Sequence, residues 1–376
     1  MDLKQTKLWP AAAASLVALT SVLNAADDAQ MRNLENRVSA LEQRKGANGM
    51  INPPARPEAK DGCGLFVTGD VLYWKAHENG LTYGIKNEHT NFTPGQTRIN
   101  DGETKNPDFD WDFGFRVGVG YAMPHDGWDL YLNWTHFHTD GDVEDHARTR
   151  DGKVIFPTQI NPNLVDFYSL YATEAENRWR LRLNVLDLEL GREFFVSKWL
   201  TLRPHMGLRA AWVDQKYRVT YEGGTLVPTD GQKIKIKDRN NFRGLGLRGG
   251  LDSQWGLGGG WCIYGNAAIS LIYGHFEIDE KQKLRQNDAT LQKQLDLDHD
   301  FHLSRAITDL ALGLRWEQSF ADDAFFVSIQ GGWENHVYFG QNQLIRFVDD
   351  VVPGAYVTNQ GDLTIQGWVG SITFAF

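Results

Sequence analysis

An all-β chain, an antiparallel transmembrane β-barrel, is the fold class the sequence predicts, and three observations predict it. Long stretches carry apolar residues at every second position, short polar turns alternate with long polar loops between them, and tryptophans gather where the stretches end.

The alternation is clearest at 109–122. Phe109, Trp111, Phe113, Phe115, Val117, Val119 and Tyr121 share one face, and Asp110, Asp112, Gly114, Arg116, Gly118 and Gly120 share the other. Strands of soluble domains usually run about five or six residues, whereas a tilted crossing of a bilayer takes about nine to eleven. This stretch has the length of a crossing. Similar segments lie at 65–76, 128–138, 179–195, 199–213, 242–255, 261–275, 307–319, 325–339 and 362–376, which makes ten strands. Loop pieces such as Tyr217–Tyr221 facing Lys233–Lys237 either lengthen the wall or raise the number toward sixteen. In 199–213 Leu200, Leu202, Met206, Leu208, Ala210 and Trp212 face out, with Arg203, His205, Gly207 and Arg209 inward. In 307–317 Leu310, Leu312, Leu314 and Trp316 face out and Asp309, Ala311, Gly313, Arg315 and Glu317 face in. Segment 179–195 changes parity between Leu183 and Leu186, and a bulge near Val185 is expected to restore the face.

The connections alternate as a barrel of this kind requires. Met123–Gly127, Val196–Lys198, Gly256–Gly260 and Phe320–Ala324 are short, while 77–108, 139–178, 214–241, 276–306 and 340–361 are long. Short turns face the periplasm in such proteins, so both termini are expected there. Trp128, Trp199, Trp255 and Trp261 stand beside the short turns, as an interfacial aromatic girdle would.

Composition narrows the classes further. No stretch past residue 26 approaches the roughly 18 apolar residues of a spanning helix, and a mean hydropathy of -0.43 fits a wall that is apolar only at alternate positions. A formal charge of -10 with no basic cluster argues against nucleic acid as a partner. Cys63 and Cys262 are candidates for one disulfide, within the chain or between subunits, and equally for free or buried thiols.

Ahead of the barrel, 1–25 has the layout of a secretory signal peptide: Lys4 and Lys7, an apolar run from Leu8 to Leu23, and small residues at the end. In 26–45, Met31, Leu34, Val38 and Leu41 fill the seam of a short coiled coil, with Glu35, Glu42, Arg37 and Arg44 flanking it. Two heptads are marginal alone and count only where other contacts hold subunits together. The order Arg37-Val38-Ser39-Ala40-Leu41-Glu42 resembles a short motif of three-stranded coiled coils, which favours a homotrimer, although Val at a with Leu at d leans by itself toward two strands; a lone amphipathic helix on the barrel or the membrane is the alternative. Gly46, Gly49, Pro53, Pro54 and Pro57 make 46–62 a flexible linker, and 63–376 is the barrel.

Trp368, Gly370, Ile372, Phe374 and Phe376 alternate and close on a phenylalanine, which resembles the C-terminal signal read by the barrel-assembly machinery; Phe374 and Phe376 would carry it. Three further stretches, Leu65 to Ala76 (LFVTGDVLYWKA), Asp187 to Ser197 (DLELGREFFVS) and Leu202 to Trp212 (LRPHMGLRAAW), resemble the Legionella-type major outer membrane protein family and related proteins of environmental chlamydiae. That resemblance implies an abundant, porin-like outer-membrane barrel, often preceded by a coiled coil, and brings no catalytic residues.

Three motifs point elsewhere and are set aside. Gly244 to Gly249 spells a dinucleotide fingerprint but lies inside a strand, where no helix N-terminus can meet a pyrophosphate. His136 with His138, and His299 with His302, lack partners at metal-site spacing, so neither metal nor cofactor is expected. No Ser-His-Asp or paired-carboxylate constellation stands out, so an enzyme is not expected.

The functional candidates are the inward charges. Arg116, Arg203, Arg209, Arg248 and Arg315 oppose Asp110, Asp112, Asp252, Asp309 and Glu317, together with Asp129, Asp187 and Glu189. Such charges line an aqueous passage in a porin and pair into a plug in a closed barrel. The expected function is passive diffusion of small hydrophilic solutes or ions; a surface-exposed structural or adhesive barrel without an open pore is the alternative.

Overall fold

The computed structural model describes residues 55, 64–87, 102–124, 126–146, 153–161, 171–224, 233–285, 292–321, 323–348, 354–358 and 361–376. The expected signal peptide and coiled coil, nearly all of the linker, and Cys63 lie outside the described residues.

Ten antiparallel strands form a closed barrel. They are β1 Leu65–Glu78, β2 Trp111–Ala122, β3 Trp128–His146, β4 Glu174–Arg192, β5 Leu200–Glu222, β6 Lys233–Gly258, β7 Trp261–Arg285, β8 Gln292–Phe320, β9 Phe325–Asn342 and β10 Gly361–Ala375. Each pairs with the next in sequence, and β10 returns to β1, with Ala375 opposite Phe66 and Leu363 opposite Glu78. All ten predicted segments coincide with these strands, and the strands run further at the long-loop end. Tyr221 pairs with Ile234 and Arg218 with Lys237, so those loop pieces lengthen the wall and add no strand to the barrel.

Outward positions form an apolar band. Phe113 is 72% exposed and Leu247 70%, exposures that large apolar side chains in such numbers carry only against lipid. Aromatics bound the band on both sides. At the long-loop end Trp333 and Trp368 meet edge to face at 5.2 Å, and Tyr73 stacks on Trp111 at 5.2 Å. At the short-turn end Trp128, Trp199, Trp255 and Trp261 are all exposed. The short turns use the backbone that tight hairpins need, with Asp126 and Gly127 at positive φ of 62° and 69°.

β4 departs from expectation. It pairs with β3 and β5 in unbroken register, without a bulge at Val185. Odd residues face inward along its whole length: Trp179, Leu181, Leu183 and Val185 are buried, while Leu186 and Leu188 are exposed. The apolar face changes sides because the interior changes. Below Val185 the lumen is polar and lipid takes the leucines; above it an apolar core fills the barrel. Phe109 is a second correction, since it precedes β2 and is buried inside, edge to face with Trp179 at 5.2 Å.

That core packs inward side chains of the long-loop half, among them Trp74, Phe137, Leu181, Val213, Phe242, Ile272, Phe276 and Ile365, against loop segments folded into the barrel mouth. Leu81, Tyr83, Phe109, Ile155, Ala172 and Leu344 are its buried loop residues among those described. Wall side chains satisfy their backbone: the Tyr217 hydroxyl donates to Leu81 O at 2.7 Å, and Tyr221 donates to Tyr83 O. Asn240 donates to Gln341 O at 2.7 Å, and Asn342 to Asn79 O at 2.9 Å. A small sheet of 84–87 between 102–105 and 154–157 joins two of these loops.

Candidate functional site

Period-two geometry places the charged residues. At the depth of the lipid band and toward the short-turn end, inward positions carry Asp70, Arg116, Asp129, Asp187, Glu189, Arg203, Arg209, Arg248, Asp309 and Glu334, and all ten are paired. Arg209 forks onto Asp187, with Nε to Oδ1 and Nη2 to Oδ2 both at 2.7 Å, and reaches Asp309 through Nη1 at 2.7 Å. Arg248 bonds Glu189 at 2.9 Å and also Asp309. Arg203 forks onto Asp129 at 3.0 and 2.7 Å and reaches Asp252 at 2.8 Å. Arg116 bonds Asp70 at 3.0 Å and Glu334 at 2.9 Å, and lies over the Trp74 ring at 5.7 Å. His336 joins the clusters, with Nδ1 2.7 Å from Asp309 and Nε2 3.3 Å from Glu334.

These side chains surround a cavity of about 260 Å³. A single water needs about 10–15 Å³ of such space, so this one has room for many. Trp74, Leu183 and Tyr338 line its long-loop end, beneath the apolar core, while Phe66, Phe326 and Ala375 line the other. Seven carboxylates and five guanidinium groups border it, an acidic surplus. Glycine keeps it open in places: a Cβ at Gly118 would stand 2.3 Å from the Tyr131 hydroxyl and 2.6 Å from Thr68 Oγ1.

Of the predicted residues, Arg116, Arg203, Arg209, Arg248, Arg315, Asp252 and Asp309 line this cavity. Glu317 lies beside it, 3.3 Å from Arg315. Asp112 faces inward higher up, opposite Trp74 in register. Asp110 is exposed ahead of β2 and belongs to no inward face, because the strand begins one residue later. Asp70, Glu334 and His336 were not among the candidates. Glu334 and His336 alternate with the outward Trp333, so the parity rule applied to β9 would have found both.

The set-aside motifs resolve into ordinary contacts. His136 Nδ1 is 2.9 Å from Asn184 Oδ1, and His138 Nδ1 is 2.9 Å from Leu181 O. Gly244 to Gly249 lies within β6, where a Cβ at Gly246 would stand 2.0 Å from Leu271 O. Cys262 is buried at the short-turn end and is bonded to no cysteine among the described residues. Ala55, ahead of the barrel, is buried at that end too, its N–H donating to Glu193 O at 3.1 Å.

Solved structures of low similarity include the outer membrane protease OmpT from Escherichia coli, at 10% identity and a TM-score of 0.36, covering 85% of this chain and 100% of that one. A Pseudomonas aeruginosa FadL homologue matches at 6% identity and 0.24, covering 83% and 89%. The Pseudomonas putida toluene transporter TodX matches at 10% and 0.23, covering 86% and 92%. No curated protein matches the sequence. The family model described as the Legionella pneumophila major outer membrane protein precursor matches residues 57–376, the entire barrel. With a closed ten-strand wall banded for lipid and that match across it, the chain belongs to the Legionella major outer membrane protein family and is a protein of the outer membrane.

Proposed function

We propose that the barrel is a porin-type passage for small hydrophilic solutes and ions, drawn here in its shut form. The charged lumen is the constriction, and the loop segments around Leu81, Tyr83, Ile155 and Leu344 are the shutter. The observation that carries this reading is a roomy cavity at bilayer depth lined by ionised groups of both signs. Buried ion pairs are commonly neutral or worse for stability than apolar packing of equal volume, so a barrel needing only a filled interior gains little from them. A passage for hydrated solutes needs polar walls, and an acidic surplus raises the local concentration of cations.

In this arrangement the short turns and both termini face the periplasm, the long loops face outward, and the seam Met31, Leu34, Val38 and Leu41 supports a trimer. Planar-bilayer recording of the refolded protein is the test. Stepwise, cation-preferring conductance is expected, and Asp252→Lys should shift the preference toward anions. Correctly folded protein that never conducts would overturn the proposal. It would favour the second reading, a closed surface barrel, for which the apolar core across the long-loop half is the supporting observation.

A further inference from the structure

The outer wall above the lipid band is unevenly charged. On β4 to β7 the upper aromatic row contains Trp212 with Arg243 opposite; the next row is acidic, with Asp214 and Glu277 on either side of Asn241, and the rows above it pair Lys216 with Arg239, Arg218 with Lys237 and Thr220 with Lys235. Lys237 also faces Lys281, and Lys235 faces Lys283, across β6 and β7. All these side chains point outward, on the parity that places Leu245 and Leu247 against lipid. On the far side of the barrel the two rows above Trp333 and Trp368 hold Asn335, Gln366, Val337 and Thr364, with no charge at all.

Some of the cations are neutralised locally. Arg178 and Arg180 both bond Asp140, and Arg239 and Lys281 share Asp279. Lys216, Arg218, Lys235, Lys237 and Lys283 have no carboxylate partner among the described residues. They crowd one another instead: partial burial, then repulsion from Arg218, Lys283, Lys235 and Arg239, draws the Lys237 ammonium below its ordinary lysine value. Unpaired like charges held side by side on a rigid sheet cost free energy unless an anion lies across them.

We infer that the outward face of β4 to β7, from Arg243 up to Lys235, binds the phosphorylated glycolipid of the outer leaflet. Its acyl chains would lie on Leu208, Leu245 and Leu247, and its phosphates would rest on the ladder above. The geometry matches: six residues from Trp212 to Arg218 climb roughly 15 Å along a tilted strand, the depth of a headgroup with its inner sugars. The inference is independent of whether the lumen conducts, and rests on the outward orientation of the long loops.

Binding of a rough-type lipopolysaccharide with a phosphorylated core to the full chain in detergent, followed by native mass spectrometry, tests it. The chemically dephosphorylated form of that lipid and free inorganic phosphate serve as the comparison arms. The phosphorylated lipid is expected to be retained, and the dephosphorylated lipid and free phosphate only weakly. K216Q/K237Q should weaken retention roughly thirtyfold, about fivefold for each cation near an anionic surface, while N335Q on the uncharged side leaves it unchanged. Equal retention of both lipids, an unaffected double variant, or a changed subunit stoichiometry at unchanged lipid binding would each overturn the inference. Heat-modifiable gel mobility confirms that each variant is folded. Labelling of Val357→Cys, exposed in the long loop 340–361 and away from the ladder, by an impermeant maleimide on intact cells checks the orientation separately: labelling puts the long loops outside, as the site requires, and protection puts them on the wrong side of the membrane and overturns it.

Discussion

At the scale of single residues, the lumen and the upper wall make opposite demands on charge. Arg209 is 5% exposed and holds Asp187 and Asp309 together, so Arg209→Met leaves buried Asp187 with Arg248 at 3.9 Å, while Asp309 keeps Arg248 and His336. Breaking such a buried set typically costs about 3–5 kcal/mol. Urea unfolding in phospholipid should show that loss, and the double change Arg209→Met with Asp187→Leu should regain part of it. Above the lipid band Asp238 and Glu280 face each other across β6 and β7, both buried. Burial pushes the Glu280 carboxyl up to about 7, while burial and the nearby Glu280 raise Asp238 well above its ordinary value. The Ile345 N–H donates to Glu280, tying the inserted loop to the wall. A carboxyl raised from 4.5 to about 7 in the folded state adds stability that is complete below the lower value and is lost as pH climbs through the upper one. Amides of 341–347 should therefore show higher protection factors, corrected for the intrinsic pH dependence of exchange, at pH 5 than at pH 8, and Glu280→Gln should flatten the difference. Neither pair could be read from the sequence, because register decides which carboxylates become neighbours.

Elements were far more legible. Alternation in 109–122 and terminal aromatics such as Trp255 and Trp261 locate each strand, because a lipid-facing wall imposes one rule on every outward position. The rule fails where the interior stops being polar. Trp179, Leu181 and Leu183 are as apolar as any lipid-facing run, so period two alone cannot tell a buried inner face from an outer one, and β4 looked bulged. Phe109 misled for the same reason. Outward leucines within the band are tested by Leu247→Arg, which places a charge against acyl chains and should lower unfolding stability by about 2–4 kcal/mol in phospholipid vesicles. The candidate site was half legible: Arg203, Arg209, Asp309 and Arg315 followed from parity, while their connection to Glu334 and His336 needed a closed wall.

Over the whole molecule, the barrel has two interiors stacked end to end. One is a charged chamber at bilayer depth, and the other is an apolar core of wall and loop side chains packed like the centre of a soluble domain. A ten-strand circumference lies just above the eight that side chains alone can fill, and in the long-loop half inserted loop residues complete the filling. The pairing of β1 with β10 has a separate consequence, felt during biogenesis. Whatever order the other strands pair in, the cylinder has an open flank until residues 361–375 lie against 66–78. A chain cut short before that strand lacks both the seal and the terminal phenylalanines expected to address it to the assembly machinery, and its unsatisfied sheet edges are left for periplasmic quality-control proteases to seize on.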